Sequence, residues 1–516
     1  VTAGDKAFAF DQANSDFTGK LILDHATFAL GVGTANETTL TNAALQLESG
    51  ATVTVGTGKR AVSLAGTNTD SALVLNGGTL VFDGTAGLGV GTDVFGQLVV
   101  DSLDISSGGT ISITSDAAQS VGSQNVDGIL AADEASIGQW LITVGGTITG
   151  DENDLTLSVN GSSTVTAAIN DGVDQVAVGT YNYVLDVDDD NVGTDGLGLA
   201  FALTQVDIIG NNTLRLNGEG ADDTTLEAVV TGDATTEIEV TGGDVVLTEN
   251  NNATAEHSGF SGTMHVASGS LTVHEGSLGA AKLVDVDASM SLVNEGANRI
   301  GGLDVAGTVM LNDSLSIMGS ADSTVTGSFT GGGSLTLESG TMTVQADSAN
   351  YEGAISLGTA STGATIELGA SGSLGKGTMT FANENSVLDV TVDASKALTN
   401  ILSGKGVVNV TGGGTDGTNG MFAFNVGQTT AFSGELKLTN VGYDLGVLGN
   451  DVLDNVALDI AQGYLRVNGT TGVDNRDIHG LTLENSIVDF GTIGAGTGVI
   501  DLGGESLAVN GAADST

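Results

Sequence analysis

Apolar and polar residues alternate in short runs along almost the whole chain, as in Leu45/Leu47, Val53/Val55, Leu73/Leu75, Leu80/Phe82, Leu103/Ile105, Ile111/Ile113, Leu155/Leu157 and Leu214/Leu216. A period of two sends successive side chains to opposite faces of an extended backbone, so each run predicts a short strand with one buried face. Gly, Asn, Asp, Ser and Thr fill the intervals. Glycine accepts positive φ and the short polar side chains bond back to the local backbone, so these intervals read as turns. Helical spacing is weak throughout and strongest near 131–139. Comparable strands return about every 20 to 25 residues, which suits one coil of a right-handed parallel β-helix with strands ~4.8 Å apart.

A longer phrase also repeats: an aromatic residue, one spacer, a glycine, then an alternating strand. It reads Phe17-Thr18-Gly19 before Leu21/Leu23, Phe260-Ser261-Gly262 before Met264/Val266, Tyr351-Glu352-Gly353 before Ile355/Leu357, and Phe432-Ser433-Gly434 before Leu436/Leu438. Self-similarity of this kind marks a repeat architecture in which each unit buries its apolar face against its neighbours. The expected fold is all-β, a solenoid forming one elongated domain: β-helix coils over 1–178, an irregular or hairpin segment with an acidic loop over 179–218, and further coils over 219–516. The middle segment breaks the rhythm with two longer apolar runs around Tyr183 and around Gly196-Leu197-Gly198-Leu199.

Composition sharpens this picture. There is no proline among 516 residues, where average usage of about 5% would give roughly 25. Proline cannot donate to a strand ladder, so its absence fits a sheet that runs continuously from coil to coil. The 80 glycines supply tight corners. Aromatics are only 4% of residues, fewer than an antiparallel sandwich usually carries, which makes the sandwich the second choice. The absence of cysteine excludes disulfides, thiolate metal sites and cysteine nucleophiles.

Thirteen Lys and Arg against 63 Asp and Glu give a formal charge of −50. Nucleic acid is therefore not an expected partner, because neutralising phosphates requires basic stripes. No apolar run is long enough to span a membrane as a helix, and the first residues lack the basic and apolar regions of a signal peptide. The acidity favours solubility of a strand-rich body and permits cation-mediated contacts.

Candidate chemistry is sparse. Asn68-Thr69-Asp70 reads as a polar turn, and neither Gly-Asp-Ser-Gly nor a Gly-x-Ser-x-Gly elbow occurs. His257, His265 and His274 cluster in sequence without a zinc-helix spacing; His265, between Met264 and Val266, falls on an outward face, and a metal there would need a carboxylate such as Glu256 or Glu275. Asp186, Asp188, Asp190 and Asp195, with Asp189, offer hard oxygens on a turning backbone and form the candidate calcium loop. The EF-hand pattern fails there, since its glycine position is Asn191 and its terminal glutamate position is Leu197. A solvated acidic loop and a calcium-stiffened one both remain open; calcium is the single cofactor considered.

The four aromatic-x-glycine phrases, the Gly276-Ser277-Leu278-Gly279 and Gly372-Ser373-Leu374-Gly375 turns, and the segment from Gly196 to Ile208 resemble the passenger region of AIDA-type autotransporter adhesins of Gram-negative bacteria. The resemblance implies a right-handed β-helix at the bacterial cell surface or secreted, non-enzymatic, acting in aggregation, biofilm formation or attachment to host matrix. Implied partners are a second copy of the chain, or host matrix proteins and glycans. It also implies contact with the outer membrane only through a translocator barrel that this sequence does not include. Two rivals are a polysaccharide-cleaving β-helix enzyme and a passive stalk that projects a distal domain.

Overall fold

The computed structural model describes residues 7–10, 19–30, 43–55, 59–62, 71–83, 97–114, 124–126, 129–130, 137–160, 163–188, 195–220, 224–412, 420–424, 431–444, 453, 455–466, 475–489, 499–501 and 507–510. Among these residues there is no α-helix, and nearly every regular element is a short strand. The chain divides into two compact units, Val1–Asp207 and Ile208–Thr516.

The Ile208–Thr516 unit is built on a fourteen-stranded sheet whose order follows the chain, each turn adding one strand. Its strands pair in parallel among the described residues, for example Thr263–Val266 with Leu283–Val286 and Thr365–Leu368 with Val387–Val392. Successive partners lie from 19 residues apart, as Val284 and Leu303, to 28, as Val408 and Leu436. Additional parallel sheets of six, seven and five strands form the other walls of the coils. This is the expected β-solenoid, and its cause is the alternation in sequence. One face of each strand stacks in register into an inner column that includes Leu214, Ile238, Met264, Val284, Leu303, Met342, Ile366, Leu388, Val408, Leu436 and Leu458, all buried. One polar residue interrupts the column: Ser323, whose Oγ accepts from the Leu303 amide at 3.1 Å.

The Val1–Asp207 unit begins in the same way, with a six-stranded and a five-stranded parallel sheet. Its third sheet adds antiparallel pairing: Thr164–Asp171 turns back through Gly172 onto Asp174–Asp188, and Ile137–Val144 pairs antiparallel with Asp195–Ile208 across two register shifts. Strands of 15 and 14 residues, far longer than those of the coils, account for the broken rhythm in sequence. The helical spacing near 131–139 does not yield a helix in its described part, because Ile137 to Gln139 open the strand Ile137–Val144. Residues 131–136 lie outside the described residues.

The recurring aromatic phrase has a definite job. Phe260, Tyr351 and Phe432 are buried at coil corners, while Phe17 lies outside the described residues. Tyr351 donates its hydroxyl to the Gly333 carbonyl at 2.8 Å, and burial raises its pKa. The glycine two residues later passes directly beneath the preceding coil: a Cβ at Gly353 would collide with the Gly333 carbonyl oxygen. The Gly-Ser-Leu-Gly turns close the next coil over the same aromatics, with Leu278 and Leu374 buried and the amides of Ala280 and Lys376 donating to the carbonyls of Phe260 and Tyr351. Buried asparagines satisfy the remaining corner groups: Asn251 accepts from the Val230 amide at 2.7 Å and donates to the Ser277 carbonyl at 2.7 Å.

Gly353→Ala therefore forces coil against coil and is expected to destabilise by about 3 kcal/mol, the upper range for overpacking. Gly332→Ala, where an added Cβ meets nothing, serves as the control and should shift stability by less than about 1 kcal/mol. Urea denaturation of the two variants beside the parent chain measures both.

Candidate functional site

Stacking in register converts isolated outward residues into columns. On the fourteen-stranded sheet one such column runs Arg215, Glu239, His265, Asp285, Asp304, Thr324, Thr343, and continues Glu367, Asp389, Asn409, Lys437, Asp459, Thr482. Each residue sits one strand spacing from the next, about 4.8 Å, between two inward residues that fix which way it faces, apolar on both sides except at Thr324, where Ser323 is one of them. The column is strongly acidic, with some of its charge answered locally. Arg215 Nε lies 2.9 Å from Glu239 Oε2, and Lys437 Nζ lies 2.9 Å from Glu435 Oε2 on the same strand.

Two places on this face gather polar groups. The first surrounds His265, whose Nδ1 is 3.6 Å from Glu237 Oε1 and whose Nε2 is 3.5 Å from Asp287 Oδ2. Glu237 is held from behind by the Thr213 hydroxyl, which donates to Oε2 at 2.9 Å. Among the described residues, His265, Asp285 and Asp287 form a group of three ligand-bearing side chains whose ligand atoms lie within 4.8 Å of one another. The Asp285 carboxyl is pushed up from the ordinary aspartate range. Burial is the main cause, and repulsion from Asp304, Asp287 and Glu237 outlines the rest, opposed by His265.

The second place is a groove of about 550 Å³ bordered by Thr343, Gln345, Glu367, Asp389 and Thr391, with Gly369, Ala370 and Ser371 as its lip. Thr343 Oγ1 donates to Glu367 at 3.0 Å, and Asn409 Nδ2 donates to Asp389 at 2.7 Å. The lip is pinned by Lys396, whose Nζ donates to the carbonyls of Gly369 at 2.7 Å and Ala370 at 3.2 Å. Burial lowers the Lys396 pKa, with Asp347 and Asp393 opposing the shift.

The outward reading of His265 holds, but its carboxylate neighbours come from adjacent coils and not from Glu256 or Glu275. The signal that finds them is the repeated apolar-x-apolar triplet: Met264-His265-Val266 overlays Val284-Asp285-Val286 at the next coil. His274 stands separately, 3.8 Å from Glu295. Of the acidic loop, Asp186 and Asp188 end the strand Asp174–Asp188, Asp195 opens Asp195–Ile208, and all three are half-buried. Asp195 Oδ1 is enclosed without a hydrogen-bond partner. Asp189 and Asp190, like Asn68, Thr69 and Asp70, lie outside the described residues.

These features define the chain as a parallel β-solenoid with a polar, acidic outer ladder. Among known proteins it is similar to the uncharacterized lipoprotein YdeK of Escherichia coli (strain K12), at 26% identity over 558 aligned residues that take in 100% of this chain and 37% of that protein. The chain thus spans little more than a third of that relative's length. No protein-family model matches the chain, and no solved structure matches it.

The raised Asp285 carboxyl has a consequence for stability. A carboxyl whose folded pKa exceeds its unfolded value costs stability once both states are ionised, and that cost vanishes below the unfolded value near 3.8. Asp285→Asn should therefore raise the melting temperature at pH 7. The gain should shrink as the pH falls through the folded pKa and disappear below about pH 3.8, as followed by circular dichroism melts across pH.

Proposed function

We propose that this chain is an adhesin passenger of the AIDA-type autotransporter kind, displayed at the bacterial cell surface or secreted, joining cells to one another or to host matrix without catalysis. The observation that carries this reading is the outer ladder of the fourteen-stranded sheet, which repeats polar and charged groups at strand spacing over many coils. Weak contacts repeated along a rigid face add through effective concentration, so two such faces, or one face and a repeating glycan, can bind firmly with no single strong contact. Similarity to a protein named as a lipoprotein supports an envelope location. The acidity sets the conditions, because like-charged ladders repel at low ionic strength and are screened within about 8 Å at physiological salt.

A second reading, glycan cleavage, is favoured by one observation: Glu367 and Asp389 occupy adjacent strands and border the same groove. A polysaccharide hydrolase uses a pair of carboxyl groups flanking the scissile bond. Release of reducing ends from bacterial or host polysaccharides by the purified chain would favour it over adhesion, and the double variant Glu367→Gln, Asp389→Asn should abolish that release.

For adhesion, sedimentation velocity of the purified chain is expected to show reversible dimers that strengthen from low to physiological salt. Charge reversal in the ladder, as Glu367→Lys with Asp389→Lys, should alter the dimer constant by tenfold or more, about 1.4 kcal/mol. A strict monomer with no retention on matrix proteins or glycans, and no release of reducing ends, would leave only the passive stalk.

A further inference from the structure

We propose that His265, Asp285 and Asp287 bind one divalent transition-metal ion, with zinc the best fit, and that Glu237 positions the histidine ring for it. This site is independent of whether the ladder adheres to anything.

The backbone places the ligands before any ion arrives. His265 and Asp285 are directly paired residues of adjacent parallel strands, so their Cα atoms are fixed by main-chain hydrogen bonds between the coils. Asp287 lies two residues beyond Asp285, just past the end of the strand Leu283–Val286, and its amide donates to the Val266 carbonyl at 3.1 Å. Beneath the three residues, Met264, Val266, Val284 and Val286 are all buried. Little chain entropy remains to be lost on binding.

The distances suit a small ion. With zinc to ligand distances of about 2.0 to 2.2 Å, neighbouring ligand atoms of a tetrahedron stand ~3.3 Å apart. His265 Nε2 and Asp287 Oδ2 are already 3.5 Å apart. The remaining separations do not exceed 4.8 Å, so closure asks for at most about 1.5 Å of carboxylate movement. That is within reach of a side-chain rotation at a partly exposed Asp285. A fourth position stays open to solvent.

The other ring nitrogen supplies the second part of the argument. Zinc-binding histidines usually direct their non-ligating N–H at a carboxylate, which fixes the tautomer and raises the basicity of the ligating nitrogen. Here Nδ1 faces Glu237 Oε1 at 3.6 Å, while Thr213 holds the other oxygen of the same carboxylate. With the proton on Nδ1, the Nε2 lone pair would face Asp287. The His265 ring lies among Glu237, Asp285 and Asp287, with Asp304 next in the column and Arg215 engaged by Glu239. A dication matches this excess of carboxylate. Calcium is disfavoured, because it takes six to eight oxygen ligands and this site offers a ring nitrogen at its centre.

The test is isothermal titration of ZnCl2 into the purified chain at pH 7.5, with CaCl2 in a parallel arm. The expected result is saturable binding at one zinc per chain. His265→Gln and Asp287→Asn should each weaken it at least tenfold, and Glu237→Gln about tenfold, as for other carboxylates that orient a metal-binding histidine. Calcium should show no binding that depends on His265. Zinc should also raise the melting temperature of the parent chain and leave that of His265→Gln unmoved. The melting temperature of His265→Gln without zinc reports whether the variant is folded, and Asp285→Asn, expected to be more stable, provides a second variant with the same predicted loss of zinc. The proposal is overturned by absence of saturable binding up to millimolar zinc. It is equally overturned by zinc binding that His265→Gln and Asp285→Asn leave unchanged, which would mean an adventitious ion on a generally acidic surface.

Discussion

The structure depends on one interaction, the main-chain hydrogen bonding of each coil to the coils before and after it in parallel register. Every buried N–H and C=O of a strand must find a partner, and in a solenoid the partner always belongs to a neighbouring coil. Interruption at any one position therefore affects two interfaces. This constraint explains why the sequence contains no proline. It also explains why glycine appears where one coil crosses close over another, as at Gly353 and Gly375, the latter with φ of +70° above the Tyr351 carbonyl. Where the ladder turns a corner and main-chain partners run out, buried side-chain amides such as Asn251 and Asn298 take their place.

The same register governs the surface. Inward positions become columns of leucine, valine and isoleucine, and outward positions become columns of whatever the sequence supplies. Neighbours on the outer face are thus residues some 20 or more positions apart in sequence, as His265 and Asp285 are. Residues adjacent in sequence mostly point to opposite faces. The groove beside Glu367 and Asp389 and the cluster around His265 both arise in this way, one on each of two stretches of the same sheet.

This is why the fold was readable from the sequence and the site was not. Strand alternation is local, the coil length follows from the return of comparable strands, and the aromatic-x-glycine phrase marks the repeat; these survive into the structure, where Phe260, Tyr351 and Phe432 occupy buried corners, and Met264/Val266 and Ile355/Leu357 point inward. Contacts between coils need the register, and coil lengths ranging from 19 to 28 residues prevent a fixed offset from supplying it. Proximity in sequence accordingly points to Glu256 and Glu275. The carboxylates that meet His265 are Glu237, on the strand to one side, and Asp287, just past the end of the strand on the other. In the aspartate run at 186–195, Asp186 and Asp188 stand two apart on one strand and so share a face, while Asp195 opens another strand.

Magnitudes decide why such a surface is tolerated. Like charges placed directly opposite on neighbouring strands cost roughly 0.2 to 1 kcal/mol per pair, as for Asp285 with Asp304 and Glu367 with Asp389. Each coil also buries two or more branched aliphatic side chains in the inner columns, at about 1.5 to 3 kcal/mol apiece. The inner columns outweigh the outer repulsion by several-fold at every coil, so the outer face is free to carry charge for reasons other than stability. A surface whose own charges oppose folding is one on which a bound cation or an opposing partner returns free energy to the fold. The acidic ladder thereby couples whatever the face binds to the stability of the coils beneath it.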